Sequence, residues 1–302
     1  MYSKIRSAVV GSINTDIILK MEKVPQAGEN IVGTQYDYAN GGKGANQAIG
    51  LSRLGSPTKM IGKVADDANG HRLLENLAEN NVDASGVSLS GTQTGLAAII
   101  LDGEGKNRIV VYEGANAEID PDEAANNIDS ETDLLLVQFE TREDVVVKCV
   151  NRAVEMNITT VIDCGPAKAF ALEKMQGATV ITPNESETEA LTGIYPESES
   201  DILKASKILA ERSKAEYVVL KLGERGCSVW NGKTLEILPA YPAKVVDTTA
   251  AGDSFTAAMA LEFLRSGDIL RACDAGNKAG SIAVSRYGAD ASMPTAKEII
   301  EF

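Results

Sequence analysis

From about residue 130 onward, the chain alternates short runs of Val, Ile and Leu with longer stretches in which apolar residues recur at helical spacing. The runs at 133–138, 159–163, 179–182 and 217–222 have the length and β-branched content of strands, and 142–156, 185–192 and 202–213 read as the helices between them. Strands this apolar, separated by helices, predict a mostly parallel sheet covered on both faces, an α/β fold. Near the start, Ser7-Ala8-Val9-Val10-Gly11 predicts the first strand, followed by a polar turn, Ser12-Ile13-Asn14-Thr15-Asp16. After Ala39-Asn40-Gly41-Gly42, helical spacing runs from Lys43 through Ala45, Ala48, Ile49 and Ser52 to Leu54, and Gly55 stops it.

Two regions break the rhythm. Residues 17–38 and 87–113 hold short alternating runs such as Leu96-Ala97-Ala98-Ile99-Ile100 and Arg108-Ile109-Val110-Val111-Tyr112, with a hairpin turn expected at Asp102-Gly103-Glu104-Gly105. They predict a small separate β-sheet, whose apolar face must be buried against the main body, a ligand or another subunit. No internal repeat or low-complexity tract interrupts the chain, so its 302 residues read as one domain with that appendage.

Charge narrows the possible partners. With 43 acidic against 29 basic residues, the net charge of −14 repels nucleic acids and anionic membranes. A chain this acidic that handles a phosphate must raise positive potential locally, from backbone N–H groups, a few lysines or a metal ion. No apolar stretch approaches the ~20 residues that span a bilayer, and Met1-Tyr2-Ser3-Lys4-Ile5-Arg6 begins no signal-peptide core. Cys149, Cys164, Cys227 and Cys273 are scattered, as free thiols in a reducing cytoplasm would be. The single histidine, His71, argues against a Ser-His-Asp hydrolase or a multi-histidine zinc enzyme. It is expected on the polar face of a helix, which leaves acid–base chemistry to carboxylates.

The strongest chemical signal is Asp247-Thr248-Thr249-Ala250-Ala251-Gly252-Asp253, followed by an apolar helix. Small residues before a helix let an anion reach the free N–H groups of its first turn. Asp253 would repel a phosphate there, unless its carboxylate takes a proton from an attacking hydroxyl while those N–H groups hold the phosphoryl charge. Taken alone, the segment fits an ordinary aspartate at a helix start equally well. A second segment, Asn40-Gly41-Gly42-Lys43-Gly44-Ala45-Asn46-Gln47-Ala48, lacks both the P-loop and the G-x-G-x-x-G spacing. Tight helix packing is its plain reading, yet Lys43, Asn46 and its amides suit a polyhydroxylated ligand. Asn14 and Asp16, after the first strand, offer acceptors for sugar hydroxyls where an open α/β sheet binds its ligands. Thr182-Pro183-Asn184-Glu185-Ser186-Glu187 opens a helix after a strand, and Lys221-Leu222-Gly223-Glu224-Arg225-Gly226 offers glycines for close approach to a nucleotide.

With these segments in this order, the chain resembles the ribokinase (phosphofructokinase-B type) family of carbohydrate kinases, from Gly11-Ser12-Ile13-Asn14-Thr15-Asp16 to Arg286-Tyr287-Gly288-Ala289. It departs mildly at Ala250, where the family often has glycine. The resemblance implies a ribokinase-like α/β core, a β-sheet lid and a homodimer joined through that lid. It implies ATP-dependent phosphorylation of a small sugar, D-ribose at O5 before fructose, a deoxyribose or a nucleoside. By the same resemblance, Asn14, Asp16, Gly42, Lys43, Gly44, Ala45, Asn46, Glu140 and Asp253 would hold the sugar. Asn184, Glu187, Lys221, Gly223, Gly226, Gly252 and Asn277 would line the ATP site, with Glu187 associated with Mg2+. A potassium ion would take Asp247, Thr249, Ala283, Arg286, Gly288 and Ser292, largely through carbonyls. Asp253 would be the base, with Ala250, Ala251 and Gly252 supplying N–H groups. Two other readings remain at this point. A silent sugar- or nucleotide-sensing module gains nothing from Asp253 beside a phosphate, and a nicotinamide-dependent oxidoreductase lacks its glycine fingerprint.

Overall fold

The structure, a computed structural model, describes residues 2–104, 106–175 and 177–302. In chain order its strands are β1 (Ser7–Val10), β2 (Asn14–Lys20), β3 (Gln35–Gly41), β4 (Thr58–Ala65), β5 (Val82–Ser90), β6 (Gly95–Leu101), β7 (Asn107–Tyr112), β8 (Leu134–Gln138), β9 (Thr159–Asp163), β10 (Val180–Thr182), β11 (Tyr217–Lys221), β12 (Cys227–Trp230) and β13 (Leu235–Leu238). Its α-helices are α1 (Lys43–Arg53), α2 (Ala68–Glu79), α3 (Pro121–Asn126), α4 (Glu143–Glu155), α5 (Glu185–Thr192), α6 (Glu199–Ser213), α7 (Ala251–Ser266), α8 (Ile269–Val284) and α9 (Ala296–Glu301).

The large sheet runs β13-β12-β11-β10-β9-β8-β1-β4-β5, parallel from β11 through β5 and antiparallel only at β11–β12 and β12–β13. Its central strands β1, β8 and β10 are buried along their whole length because both faces are covered. Successive side chains divide between two cores, as the two-residue strand period requires. Val9, Leu134, Leu136, Val161 and Val219 join α1, α2, α7 and α8 on one side. Ala8, Val10, Leu135, Val137, Ile162, Val218 and Leu220 join α3, α4 and α6 on the other. Parallel strands end together, so the segments after β1, β8, β9, β10 and β11 gather along one edge.

The second sheet, β3-β2-β6-β7, stands apart as the expected small lid. Its boundaries differ from the expected 17–38 and 87–113. Val87 to Ser90 belong to β5, which pairs with β4 at the edge of the large sheet. The expected polar turn Ser12–Asp16 is already lid strand from Asn14 onward, because Asn14 pairs with Gly41 on one side and Gly95 on the other. Gly105 of the expected hairpin turn lies outside the described residues, while Leu101 and Asn107 pair on either side of it. His71 lies on α2, where Nε2 meets an exposed Asp66 carboxylate at 2.8 Å. The four cysteines are free and buried, and no helix among the described residues is long and apolar enough to cross a membrane.

Candidate active site

The lid hinges on a close backbone approach. Gly42, which precedes α1, has φ 91°, and a Cβ there would lie 2.7 Å from the Ser12 carbonyl oxygen and 2.8 Å from the Asn14 nitrogen. Only glycine combines that left-handed conformation with that contact. Glu140, just past β8, accepts the Lys43 N–H at 2.9 Å and the Ser12 hydroxyl, so a carboxylate completes the start of α1. Ala45 N–H donates to the Ser12 carbonyl at 3.0 Å, and Gly44 packs against the Gly11 backbone. Asn116 holds Asn14 in place. Its Nδ2 donates to Asn14 Oδ1 at 2.8 Å, and its Oδ1 accepts the Ile13 N–H at 3.0 Å.

Asp16 lies two residues further along β2, against the bare Cα of Gly41. Burial pushes its carboxyl up to about 7, the Glu140 charge adds to this, and Arg72 opposes it. A carboxyl raised on folding costs nothing below its unfolded pKa near 4 and its full amount above about 7. Asp16→Asn is therefore expected to stabilise the ligand-free protein by about 1–3 kcal/mol near pH 8 and negligibly near pH 4. Urea unfolding at both pH values checks this; equal effects at the two would contradict the assignment.

At the centre, α7 begins with Ala250 as its N-cap at φ 58°. An alanine in that left-handed conformation costs roughly 1–2 kcal/mol, which is the physical content of the departure at this position. No side chain caps the helix, and Ala251 N–H turns back to the Thr248 carbonyl at 3.3 Å. The uncapped N–H groups of the first turn are therefore those of Gly252 and Asp253. Asp253 is buried: Oδ2 accepts Asn46 Nδ2 at 3.1 Å, Oδ1 accepts Gln47 Nε2 at 3.0 Å, and Lys43 Nζ stands 3.8 Å away.

A residue that sequence reasoning missed organises these charges. Asp163, the last residue of β9, is fully buried and lies 3.0 Å from Lys221 Nζ and 3.9 Å from Lys43 Nζ. It also accepts Gln47 Nε2 at 3.0 Å, Gly165 N–H at 3.0 Å and the Thr256 hydroxyl at 3.3 Å. Burial acts to raise its carboxyl, but the Lys221 and Lys43 charges prevail and hold it well below the usual range. Both lysines are raised against the effect of their own burial, Lys43 by Asp163, Asp253, Glu187 and Glu140, and Lys221 chiefly by Asp163 and Glu187. Two ammonium groups, kept charged by these carboxylates, thus supply the local positive potential that an acidic chain needs. Gly165 lets them gather: a Cβ there would fall 2.4 Å from Lys43 Cε and 2.6 Å from Glu187 Oε1. The only sequence signal for Asp163 was its place at a strand's carboxyl end, which several residues share.

On the other flank, Asn184 caps α5. Its side chain accepts the Glu187 N–H at 2.9 Å, while Glu187 accepts the Asn184 N–H at 2.7 Å and Nδ2 at 3.0 Å. Burial raises the Glu187 carboxyl, against the pull of Lys221. Lys221 bridges this flank to α7, since its Nζ would be 3.7 Å from a Cβ at Gly252. Gly223 and Gly226 take positive φ in the β11–β12 turn. Gly226 is also packed beneath the chain, where a Cβ would meet the Leu238 carbonyl at 2.0 Å, so packing alone requires a glycine there. Asn277, on α8, donates to the Pro239 carbonyl at 3.1 Å and fixes the segment that covers Gly226.

The segment before α7 meets the end of α8. Asp247 Oδ1 accepts the N–H and hydroxyl of Thr249 at 2.9 and 2.7 Å, and Oδ2 accepts the Gly288 N–H at 3.1 Å. Burial opposes ionisation of Asp247, but these three bonds lower its pKa overall. Ala283 O is engaged by Arg286 N–H at 3.0 Å, and Ser292 donates its hydroxyl to Ala289 O at 2.7 Å. Asp247, Thr249 and Gly288 are thus brought together, while Arg286 bonds Ala283 through its N–H and Glu298 through its guanidinium, and Ser292 faces its own turn. Among the described residues, no group of three or more His, Cys, Asp or Glu could hold a metal ion.

A parallel α/β sheet whose strand ends set polyol acceptors on one flank, an uncapped helix start with two lysines on the other, and a buried carboxylate between them defines a phosphotransferase acting on a small alcohol. Comparison with known proteins gives the narrower class. The profile of the pfkB family of carbohydrate kinases matches residues 4–296, and the chain belongs to that family. It is 36% identical over 296 residues to a ribokinase of Bacillus subtilis, covering 97% of both chains, and 34% identical to a ribokinase of Staphylococcus aureus, covering 96% of this chain and 97% of that one. Among solved structures, an Arabidopsis thaliana ribokinase complexed with ribose and ATP superposes with a TM-score of 0.90 at 29% identity, covering 98% of each chain.

Proposed function

We propose that this chain transfers the γ-phosphoryl group of ATP to O5 of D-ribose, giving D-ribose 5-phosphate and ADP. The observation that carries the reading is the position of Asp253. Its carboxylate is held by Asn46 from the sugar flank and lies in the same helical turn as the uncapped N–H groups on the phosphate flank. The relatives named as ribokinases, and the ribose- and ATP-bound neighbour, support ribose over other sugars.

In this reading Asn14, Asp16, Glu140 and the Gly42–Asn46 segment hold the sugar hydroxyls, and Asp253 accepts the O5 proton as the new bond forms. Asp163 is a poor base because its lone pairs are filled by donors and its carboxyl is strongly acidic. Lys43, Lys221 and the N–H groups of Gly252 and Asp253 meet the charge on the transferring group. ATP lies along Asn184, Lys221, Gly223, Gly226 and Asn277. Mg2+, on the side of Glu187, would neutralise phosphate oxygens. Potassium, held at Asp247, Thr249 and the carbonyls around Gly288, would add fixed positive charge behind the start of α7.

The outer strand of the small sheet exposes Ile109, Val110, Val111 and Tyr112, and β3 exposes Tyr36 and Tyr38. We assign that surface to a second copy of the chain, forming a homodimer whose paired lids exclude water from the cleft. Sedimentation at micromolar concentration should read the dimer mass, and a monomer that stays fully active would contradict this. A cytoplasmic setting, which supplies ATP, also suits the four free cysteines. ATP turnover across a panel of ribose, deoxyribose, fructose and nucleosides, with and without potassium, tests the whole reading. Ribose is expected to exceed the other acceptors at least about tenfold in kcat/KM, the net worth of roughly one hydrogen bond, with potassium raising its rate; no turnover above ATP hydrolysis with any sugar would overturn it.

A further inference from the structure

Gln47 has no part in the scheme above, yet its side chain is fully buried between the two central carboxylates. Its Nε2 donates to Asp253 Oδ1 and to Asp163 Oδ2, each at 3.0 Å. The carboxamide cannot be turned the other way, because Oε1 would then face two carboxylates. Oε1 instead accepts Gln138 Nε2 at 2.7 Å, and Gln138 is itself fully buried at the end of β8. Gln138 Oε1 has no hydrogen-bond partner and lies over Gly11, where a Cβ would come within 2.0 Å of it. Burying an unpaired amide oxygen is costly. The arrangement accepts that cost while keeping Gln138 aimed at Gln47.

Consecutive residues of α1 therefore clamp the two oxygens of Asp253, Asn46 holding Oδ2 and Gln47 holding Oδ1. Two bonds to different oxygens fix the plane of the carboxylate, and each oxygen keeps a further lone pair for an incoming proton. We propose that Gln47 is a positioning residue for phosphoryl transfer. It sets the orientation of Asp253 and ties that orientation to Asp163, the shared counterion of Lys43 and Lys221. Gln138 fixes Gln47 in turn. This rests on the function proposed above, with Asp253 as the base.

Misorienting a base affects the chemical step more than binding. Gln47→Leu is expected to lower kcat about 10–100-fold while the KM values for ribose and ATP stay within about threefold. Gln138→Leu leaves both donors to the carboxylates in place but frees Gln47 to rotate, and should show a smaller loss of about threefold to tenfold with the same split. Gln47→Glu supplies the readout that a merely structural role would not produce. The introduced carboxyl faces Asp253 from α7 and Asp163 from β9, with Lys43 on its own helix and Lys221 on β11 nearby. When protonated, it returns one donor; when ionised, it returns none and repels both neighbours. Turnover of that variant, relative to wild type, should therefore fall as the pH rises from about 6 to 8.

Wild type, Asp253→Asn and the three variants are assayed together, with thermal melts to establish folding. Should Gln47→Leu fail to fold, Gln138→Leu and Gln47→Glu carry the test. Near-wild-type kcat in Gln47→Leu, a rise in KM at constant kcat, or a flat pH ratio for Gln47→Glu would each overturn the positioning role while leaving the kinase reading intact. A wild-type chain inert towards every sugar would overturn both.

Discussion

Asp253→Asn is expected to bind ribose within a few-fold of the wild-type affinity and to lose a general-base factor of about 10²–10⁴ in turnover. The separation of binding from rate follows from the geometry. In the proposed reading sugar hydroxyls are met chiefly by Asn14, Asp16 and the Glu140-capped start of α1, which the substitution leaves untouched; of the sugar-flank residues Asn46 alone bonds Asp253. The fold should tolerate the lost charge, because Lys43 keeps Asp163, Glu187 and Glu140 as counter-charges. One of the donors on Asn46 or Gln47 will face an amide NH2 rather than an oxygen, at a cost of about 1–3 kcal/mol in stability. Calorimetric titration with ribose and rapid-quench measurement of phosphoryl transfer read the two effects separately. Turnover within a few-fold of wild type would remove Asp253 from the chemistry.

Asp163→Ala is expected to be the most destabilising single change at the site, by about 3–5 kcal/mol near neutral pH. It removes the shared counterion of the buried Lys221 and the partly buried Lys43, and the acceptor of bonds from Gln47, Gly165 and Thr256. The sign of the pH dependence follows from the depressed pKa of this carboxyl. Its ionic contribution is fully present above the unfolded-state value near 4 and is lost as the pH falls below it. The gap between wild type and variant should therefore be widest near pH 7 and narrow towards pH 3. Urea titrations at both pH values measure it. An unchanged gap would mean that packing, not charge, is what Asp163 contributes.

Neither Asp163 nor Gln47 was assigned a role from sequence, and the reason is physical. Local motifs reveal groups whose role depends on their neighbours in the chain: the glycines before α1, the small residues before α7, the Asn184–Glu187 pair that caps α5. Asp163 is an ordinary strand-end aspartate until β9 lies beside β10 and α7 brings Thr256 over it. Gln47 was visible only as the residue that spoils a dinucleotide fingerprint. Likewise, Gly226 read as room for a nucleotide, while packing against the Leu238 carbonyl already requires a glycine there. The start of the lid was read too late in one strand and too early in another, since Asn14 and Val87 sit in runs whose alternation does not say which sheet they join.

The chain's hydrophobic period determined the covered parallel sheet and the separate small sheet. Its two glycine-rich segments and its lone histidine determined that carboxylate chemistry and a phosphate belong together here. These properties are local, set by side-chain periodicity and backbone freedom. What only the tertiary structure decided is how the charges are shared. The sequence could name Asp253 as a candidate base, but it left an ordinary helix-start aspartate equally open. The close approach of α1, β9 and α7 surrounds Asp253 with Asn46, Gln47 and Lys43, and places the Lys43–Asp163–Lys221 array beside the uncapped start of its helix. Such an array is held by interactions between residues far apart in the chain, 58 positions between Lys221 and Asp163 and 207 between Asn46 and Asp253, and no local pattern encodes them.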